Sequence, residues 1–306
     1  MKIIKALCLV AALISPTVFA QTKMVVGYTA VTAFAALYVA KEQKIFDKHG
    51  LDVTPQLVAL SGVLPAALQS DSIQVGASAT PVLIQAADSG MDLVAFANAS
   101  VNARPATEVG LIVRTGANIR SAQDLAGKKI GVPGLNAALH IMARQWLAGK
   151  GVDPKKVSFT EIAFPQMNDV LKAGTVDAVM TADPFLLRIL QAGTGSLLAY
   201  VMQELPEGFS QVLYMTTREW AGRNPVALRA FRDALKEAER HALAHPEQAR
   251  QAIGKYVRVP PEVLASLQIP KLKTEIEPNE LAFFDKAMRE QNMLRNPPKL
   301  NTLIVK

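Results

Sequence analysis

The 306-residue sequence holds one cysteine, Cys8, and that thiol lies near the start of an apolar leader. Disulfides therefore hold nothing together in the chain that follows, although an oxidising compartment is compatible with it. Past the leader no run is apolar for the roughly 20 residues that a membrane span needs. Charge is not concentrated either. The formal net charge is +7, and its excess of Lys and Arg is spread along the chain, which excludes the basic patch of a nucleic-acid binder. Of four histidines only His241 and His245, in "HALAH", stand one helical turn apart. The zinc-protease pattern needs Glu after the first of them, but Ala242 stands there and Pro246 follows the second, so they are expected on the surface. His49 and His140 are isolated, in a helix-ending turn and in the helix after Asn136. No metal and no cofactor is expected.

The first residues are set apart from any fold. Met1-Lys2-Ile3-Ile4-Lys5 is a basic start, Ala6 to Phe19 is apolar, and Val18-Phe19-Ala20 puts small residues at cleavage positions. This pattern is a secretory signal peptide, with the cut expected after Ala20. A lipid-attachment cysteine would stand at that cut, where Cys8 does not, so the expected product is an unlipidated periplasmic protein. Losing Lys2 and Lys5 lowers the net charge by two, to +5, and leaves a chain long enough for two lobes with separate cores.

An internal repeat organises that chain. "ALQSDSIQVGASATPVLIQAADSG" (Ala67 to Gly90) aligns with the stretch from Val170 at a shift of 103 positions: Leu68 on Leu171, Ile73 on Val176, Ser78 on Thr181, Ala79 on Ala182, Pro81 on Pro184 and Gly90 on Gly193. Upstream, Gly27-Tyr28-Thr29 pairs with Gly131-Val132-Pro133, and His49-Gly50-Leu51-Asp52 with Lys150-Gly151-Val152-Asp153. Each copy reads strand, helix, glycine stop, strand, helix, strand, helix. Such alternation implies an α/β fold of two lobes, each a mostly parallel sheet covered by helices. Thr80-Pro81 and Asp183-Pro184 are expected to open helices, with Thr80 and Asp183 as caps, and Asn136 to cap the helix after Pro133-Gly134. The expected division is a leader over 1–20, a first lobe over 21–109, a second over 110–210, and a return to the first over 211–306. "EVGLIVR" (Glu108 to Arg114) and "QVLYMTT" (Gln211 to Thr217) are the expected pair of hinge strands, and helices with Leu228, Phe231, Leu235 and Leu243 inward follow them.

Four stretches, "LYVAKEQKIFDKHGLDV" (from Leu37), "SAQDLAGKKIGVPG" (from Ser121), "FPQMNDVLKAGTVDAVMTADPF" (from Phe164) and "YMTTREWAGRNP" (from Tyr214), resemble periplasmic substrate-binding proteins of ABC importers. The resemblance is to the NMT1/THI5-like group serving sulfonates, taurine, nitrate and thiamine-pyrimidine precursors. It implies the type II periplasmic binding fold, a solute between the lobes, closure on binding, and delivery to a membrane permease driven by an ATPase. No nucleic-acid partner and a monomer are expected.

Ligands of open α/β sheets lie beyond the carboxyl ends of the strands. Those ends supply Thr32, Phe34, Ser61, Ser78, Thr80 and Asn98 from the first lobe, and Leu135, Asn136, Phe164, Gln166 and Asp183 from the second. The loops carry hydroxyls and amides but no Lys or Arg. Backbone N–H groups at helix starts, each worth roughly 0.3–2 kcal/mol to an anion, together with burial by Val31, Phe34, Leu135, Phe164 and Met167, suit a small organic solute that is anionic and partly apolar. Were Asp183 at the cleft, an amine or ring N–H would suit better. Duller roles are available: Phe34 sits in a nearly apolar helix, and Thr80, Asn136 and Asp183 can be plain caps. Two enzyme readings compete with binding alone. "GASAT" makes Ser78 a candidate hydrolase nucleophile, but Thr80 stands where that motif needs Gly. The thiamine-pyrimidine synthases of similar fold use a cysteine-rich motif, which the chain past its leader lacks.

Overall fold

The computed structural model describes residues 21–305, so the leader, its cut and Cys8 lie outside the described residues. The first lobe runs β1 (Thr22–Tyr28), α1 (Ala35–Glu42), α2 (Ile45–Lys48), β2 (Leu51–Leu57), α3 (Leu64–Gln69), β3 (Val75–Ala79), α4 (Thr80–Asp88) and β4 (Leu93–Val101). The second runs β5 (Val109–Arg114), β6 (Lys129–Val132), α5 (Ala138–Gly149), β7 (Ser158–Glu161), α6 (Met167–Lys172), β8 (Ala178–Ala182), α7 (Phe185–Gln191) and β9 (Gly195–Ala199). The chain then enters β10 (Ser210–Thr217) and ends in α8 (Arg218–Arg223), α9 (Pro225–Ala244), α10 (Pro246–Tyr256), α11 (Pro261–Ser266) and α12 (Ala282–Glu290).

Two five-stranded sheets result, ordered β2-β1-β3-β10-β4 and β7-β6-β8-β5-β9. In each, one strand runs against its neighbours: β10 against β3 and β4, and β5 against β8 and β9. The shift of 103 positions carries β3 onto β8 and α3 onto α6 at both ends, so the repeat is structural. Gly27 and Gly131 also occupy equivalent, tightly packed places. A Cβ would come within 2.6 Å of Leu64 Cδ2 at the first and 2.9 Å of Ile162 Cδ1 at the second.

The sheets are joined by two crossings, residues 102–108 and 200–209, each leading directly into an antiparallel strand. Asn102, fully buried, fastens one crossing to the other. Its N–H donates to Phe209 O at 2.9 Å, its carbonyl accepts from Gly208 N–H at 2.8 Å, and its side-chain amide donates to Met202 O and Pro206 O. The strands expected to hinge thus each belong wholly to one sheet, and the passage itself is made by the segments before them.

The C-terminal helices return to the first lobe. Along α9, Leu228, Phe231, Leu235, Ala238 and Ala242 recur at helical spacing and are buried, with Phe231 against Phe46, Phe96 and Tyr214. Leu243, one residue past the Ala242 position, rotates off that face and is 55% exposed, contrary to the sequence reading. Tyr256 of α10 stacks on Tyr38 of α1 at 4.9 Å. The irregular chain beyond covers the edge strand β4: Asn98 N–H donates to Thr274 O, and Val305 N–H to Ala95 O. Covering an edge removes unpaired backbone groups from solvent. Phe231→Ala is expected to destabilise the first lobe by about 3–5 kcal/mol in denaturant unfolding; a loss under about 1 kcal/mol would contradict this packing of α9.

Candidate functional site

Where the two sheets meet, the carboxyl ends of their strands line a partly open cavity of about 70 Å³. A single water needs about 10–15 Å³ of such space, so a small organic molecule fits while a larger one requires the lobes to part. Apolar groups from both lobes form most of the wall: Val31, Ala33, Ala59, Ala79 and Val212 from the first, Pro133, Ala137, Ala138, Leu139, Met142, Phe164 and Ala182 from the second. Phe164 is held by stacking on Phe185, with ring centres 5.7 Å apart. Val109, Thr29, Thr32, Ser61, Gln211 and Glu108 complete the wall. Glu108 is the one ionisable side chain on it among the described residues, and Gln211 Nε2 donates to its Oε1 at 3.1 Å.

The lobes are in contact around this space. Thr32 donates its N–H and its hydroxyl to Asp183 O at 3.2 and 3.4 Å, and Gln85 Nε2 donates to Asn136 O at 3.2 Å. Farther out, Arg144 of α5 donates to Gln291 Oε1 at 2.8 Å, and Gln145 to Glu290 Oε2 at 3.2 Å.

Of the residues singled out in the sequence, Val31, Thr32, Ser61 and Phe164 line the cavity and the others do not, Met167 being wholly buried. Phe34 is wholly buried, with its ring near Tyr214, so it belongs to the core. Ser78 and Ala79 alternate across the pleat of β3, which puts Ala79 on the cavity and Ser78 in the interior. Thr80 is no side-chain cap: α4 takes Ala79 as its N-cap, and the Thr80 hydroxyl donates to Ser210 O at 2.8 Å. Asn98 is buried on β4 and its amide donates to Glu275 O and Glu280 Oε2, fastening the C-terminal segment. Leu135 is 48% exposed on an outer groove shared with Val63. Asn136 does not cap α5, whose N-cap is Ala137; it sits at φ +62° and its N–H donates to His140 Nδ1 at 2.8 Å. Accepting there keeps the buried His140 ring neutral, and desolvation lowers its pKa to about 4. Gln166 is exposed.

Asp183 stands one residue past Ala182 and is 5% exposed, beside the cavity without lining it. It is not the cap of α7, whose N-cap is Pro184. Burial pushes its carboxyl up to about 7; a Leu187 backbone hydrogen bond opposes the shift, and the Glu108 charge adds to it. Glu108 and Gln211 escaped the sequence reading as site residues, although each opens one of the two hinge stretches.

The hydrolase reading of Ser78 finds no catalytic partner for its hydroxyl. Ser78 is fully buried and its hydroxyl has no hydrogen-bond partner, histidine included. His241 bonds Gln248, His49 bonds Glu237, and no cluster of three His, Cys, Asp or Glu suited to a metal occurs among the described residues.

A folded-state pKa near 7 means that the native chain keeps the Asp183 proton where the unfolded chain has lost it. The resulting destabilisation is absent below the ordinary carboxylate value, grows as pH rises through the interval, and is complete above about 7. Asp183→Asn should therefore raise the melting temperature more at pH 8 than at pH 5. Equal shifts at both would contradict a protonated, buried carboxyl.

Comparison with known proteins places this geometry. The structure superposes on the alkanesulfonate-binding protein SsuA from Xanthomonas axonopodis pv. citri, solved bound to MOPS, with TM-score 0.79 over 93% of this chain and 98% of that one, at 18% identity. That likeness establishes the fold of periplasmic solute-binding proteins. In sequence, the chain is 25% identical to the nitrate/nitrite binding protein NrtA of Nostoc sp., over 71% of this chain and 53% of that protein. It is 24% identical to the nitrate import ATP-binding protein NrtC of Synechocystis sp., where 79% of this chain spans only 38% of the relative. No helix among the described residues is long and apolar enough to cross a membrane. The NMT1/THI5 like family model matches residues 31–249, most of the chain, and the protein belongs to that family.

Proposed function

We propose that the protein is the exported solute-binding component of an ABC import system, held in the periplasm after its leader is cut at Ala20, and non-enzymatic. As a monomer it captures a small organic solute between its lobes and hands it to a membrane permease, whose ATPase it meets only indirectly. One observation carries this reading: the cavity draws its wall from both lobes and lies beside the Thr32–Asp183 contact that bridges them. A wall built largely of Val, Ala, Pro, Met and Phe groups suits a solute with an apolar body, and Thr32 and Ser61 suit a polar head. The negative head expected from the loops meets no Lys, Arg or His in that wall and does meet Glu108, which argues against a net anion.

A thermal-shift screen of small amines, pyrimidines, carboxylates and sulfonates tests the role. A true solute at 100 times its dissociation constant adds about 2.7 kcal/mol of stability. Ala59 is exposed at the cavity's edge, so Ala59→Trp should block the space and abolish that gain while leaving the unliganded melting temperature nearly unchanged. Absence of any stabilising compound together with measurable turnover of one would overturn the binding role; an unaltered gain in the Trp variant would move the site elsewhere.

A further inference from the structure

We infer that Glu108 and Gln211 read the head of the solute and select a donor-bearing, positively charged group, an amine or a protonated ring nitrogen, over sulfonates and carboxylates. The inference rests on the solute-binding role proposed above and gives that site its chemical preference.

Glu108 ends the first crossing and Gln211 follows the second, so the pair meets at the base of the cleft where the lobes are joined. Main chain and side chain of Glu108 are each held once. Its backbone carbonyl accepts the Asp183 N–H at 2.8 Å, and its carboxylate Oε1 accepts from Gln211 Nε2 at 3.1 Å. Its Oε2 has no hydrogen-bond partner among the described residues and belongs to a side chain on the cavity wall. No lysine, arginine or histidine stands on that wall to balance the charge. Beside it lies the buried Asp183 carboxyl, whose Oδ1 is likewise without a partner. Two carboxyl groups at one mostly apolar site lack a positive group, and a cationic head supplies it together with donors for Oε2. An anion in the same place meets repulsion: at 4 Å and an effective dielectric of about 20, like charges disfavour binding by roughly a thousandfold.

The same pair could merely fasten the two crossings, in which case every solute would suffer alike from its loss. Charge-matched probes separate the two roles. Calorimetry at pH 7.5 on the full mature chain would compare benzylammonium, benzyl alcohol, benzoate and phenylmethanesulfonate, with propylammonium and propanesulfonate as smaller counterparts. The expected result is binding of the ammonium probes with the anions at least about 100-fold weaker. Glu108→Gln keeps the size and the link to Gln211, and circular dichroism would verify its fold. It should weaken the ammonium probes by about 10- to 100-fold and leave benzyl alcohol within about twofold. Anions binding as well as ammonium ions, or equal losses for all probes in the variant, would overturn the head-group assignment while sparing the binding role. Rejection of every probe of either charge by the folded wild-type chain would count against both.

Discussion

The structure depends on how two strands of chain pass between two sheets. Asn102 places its backbone N–H, its backbone carbonyl and its side-chain NH2 on the returning crossing, which ties the two passages together. A buried amide left without such partners would cost about 1–3 kcal/mol, which makes the junction a rigid reference point. From it β5 enters one sheet and β10 the other, each between the third and fourth parallel strands. The lobes become near-copies, and the carboxyl ends of their strands face one another across the crossings.

That arrangement also decides the chemistry of the cleft. Residues next to the crossings, Glu108 and Gln211, fall at its base, while the strand ends contribute small apolar groups such as Ala79 and Ala182. Closing the lobes removes water from a site with one wall carboxylate and a second carboxyl, Asp183, already raised by burial to about 7. In such a setting charge matters more than area, because a desolvated like charge has nothing to compensate it.

Much of the architecture was legible in the amino-acid order. The shift of 103 positions, the glycine stops and the alternation of strands and helices gave two equivalent lobes and the return of the C-terminal helices. The site was harder to read. Strand parity placed Ser78 inward and Ala79 outward, and a polar residue in a loop draws attention that an alanine does not. Phe34 looked like a cleft wall because it follows a strand, but its helix is buried on every side. Glu108 was read as the start of a strand when it is the last residue before one. The irregular residues on either side of α12 that seal β4, Lys271 to Thr274 and Val305, carry no periodicity from which to foresee them.

Closure of the lobes around a solute is the claim on which the functional reading stands. Val63 and Leu135, on opposite lobes, share an outer groove and are 51% and 48% exposed, so spin labels there sit across the cleft without entering the core. Pulsed electron-electron distance measurements on the labelled chain, with and without a solute that raises the melting temperature, address it directly. The expected result is a broad or longer distance in the free chain that collapses to one short distance as solute is added. A single distance, indifferent to a stabilising solute, would contradict it.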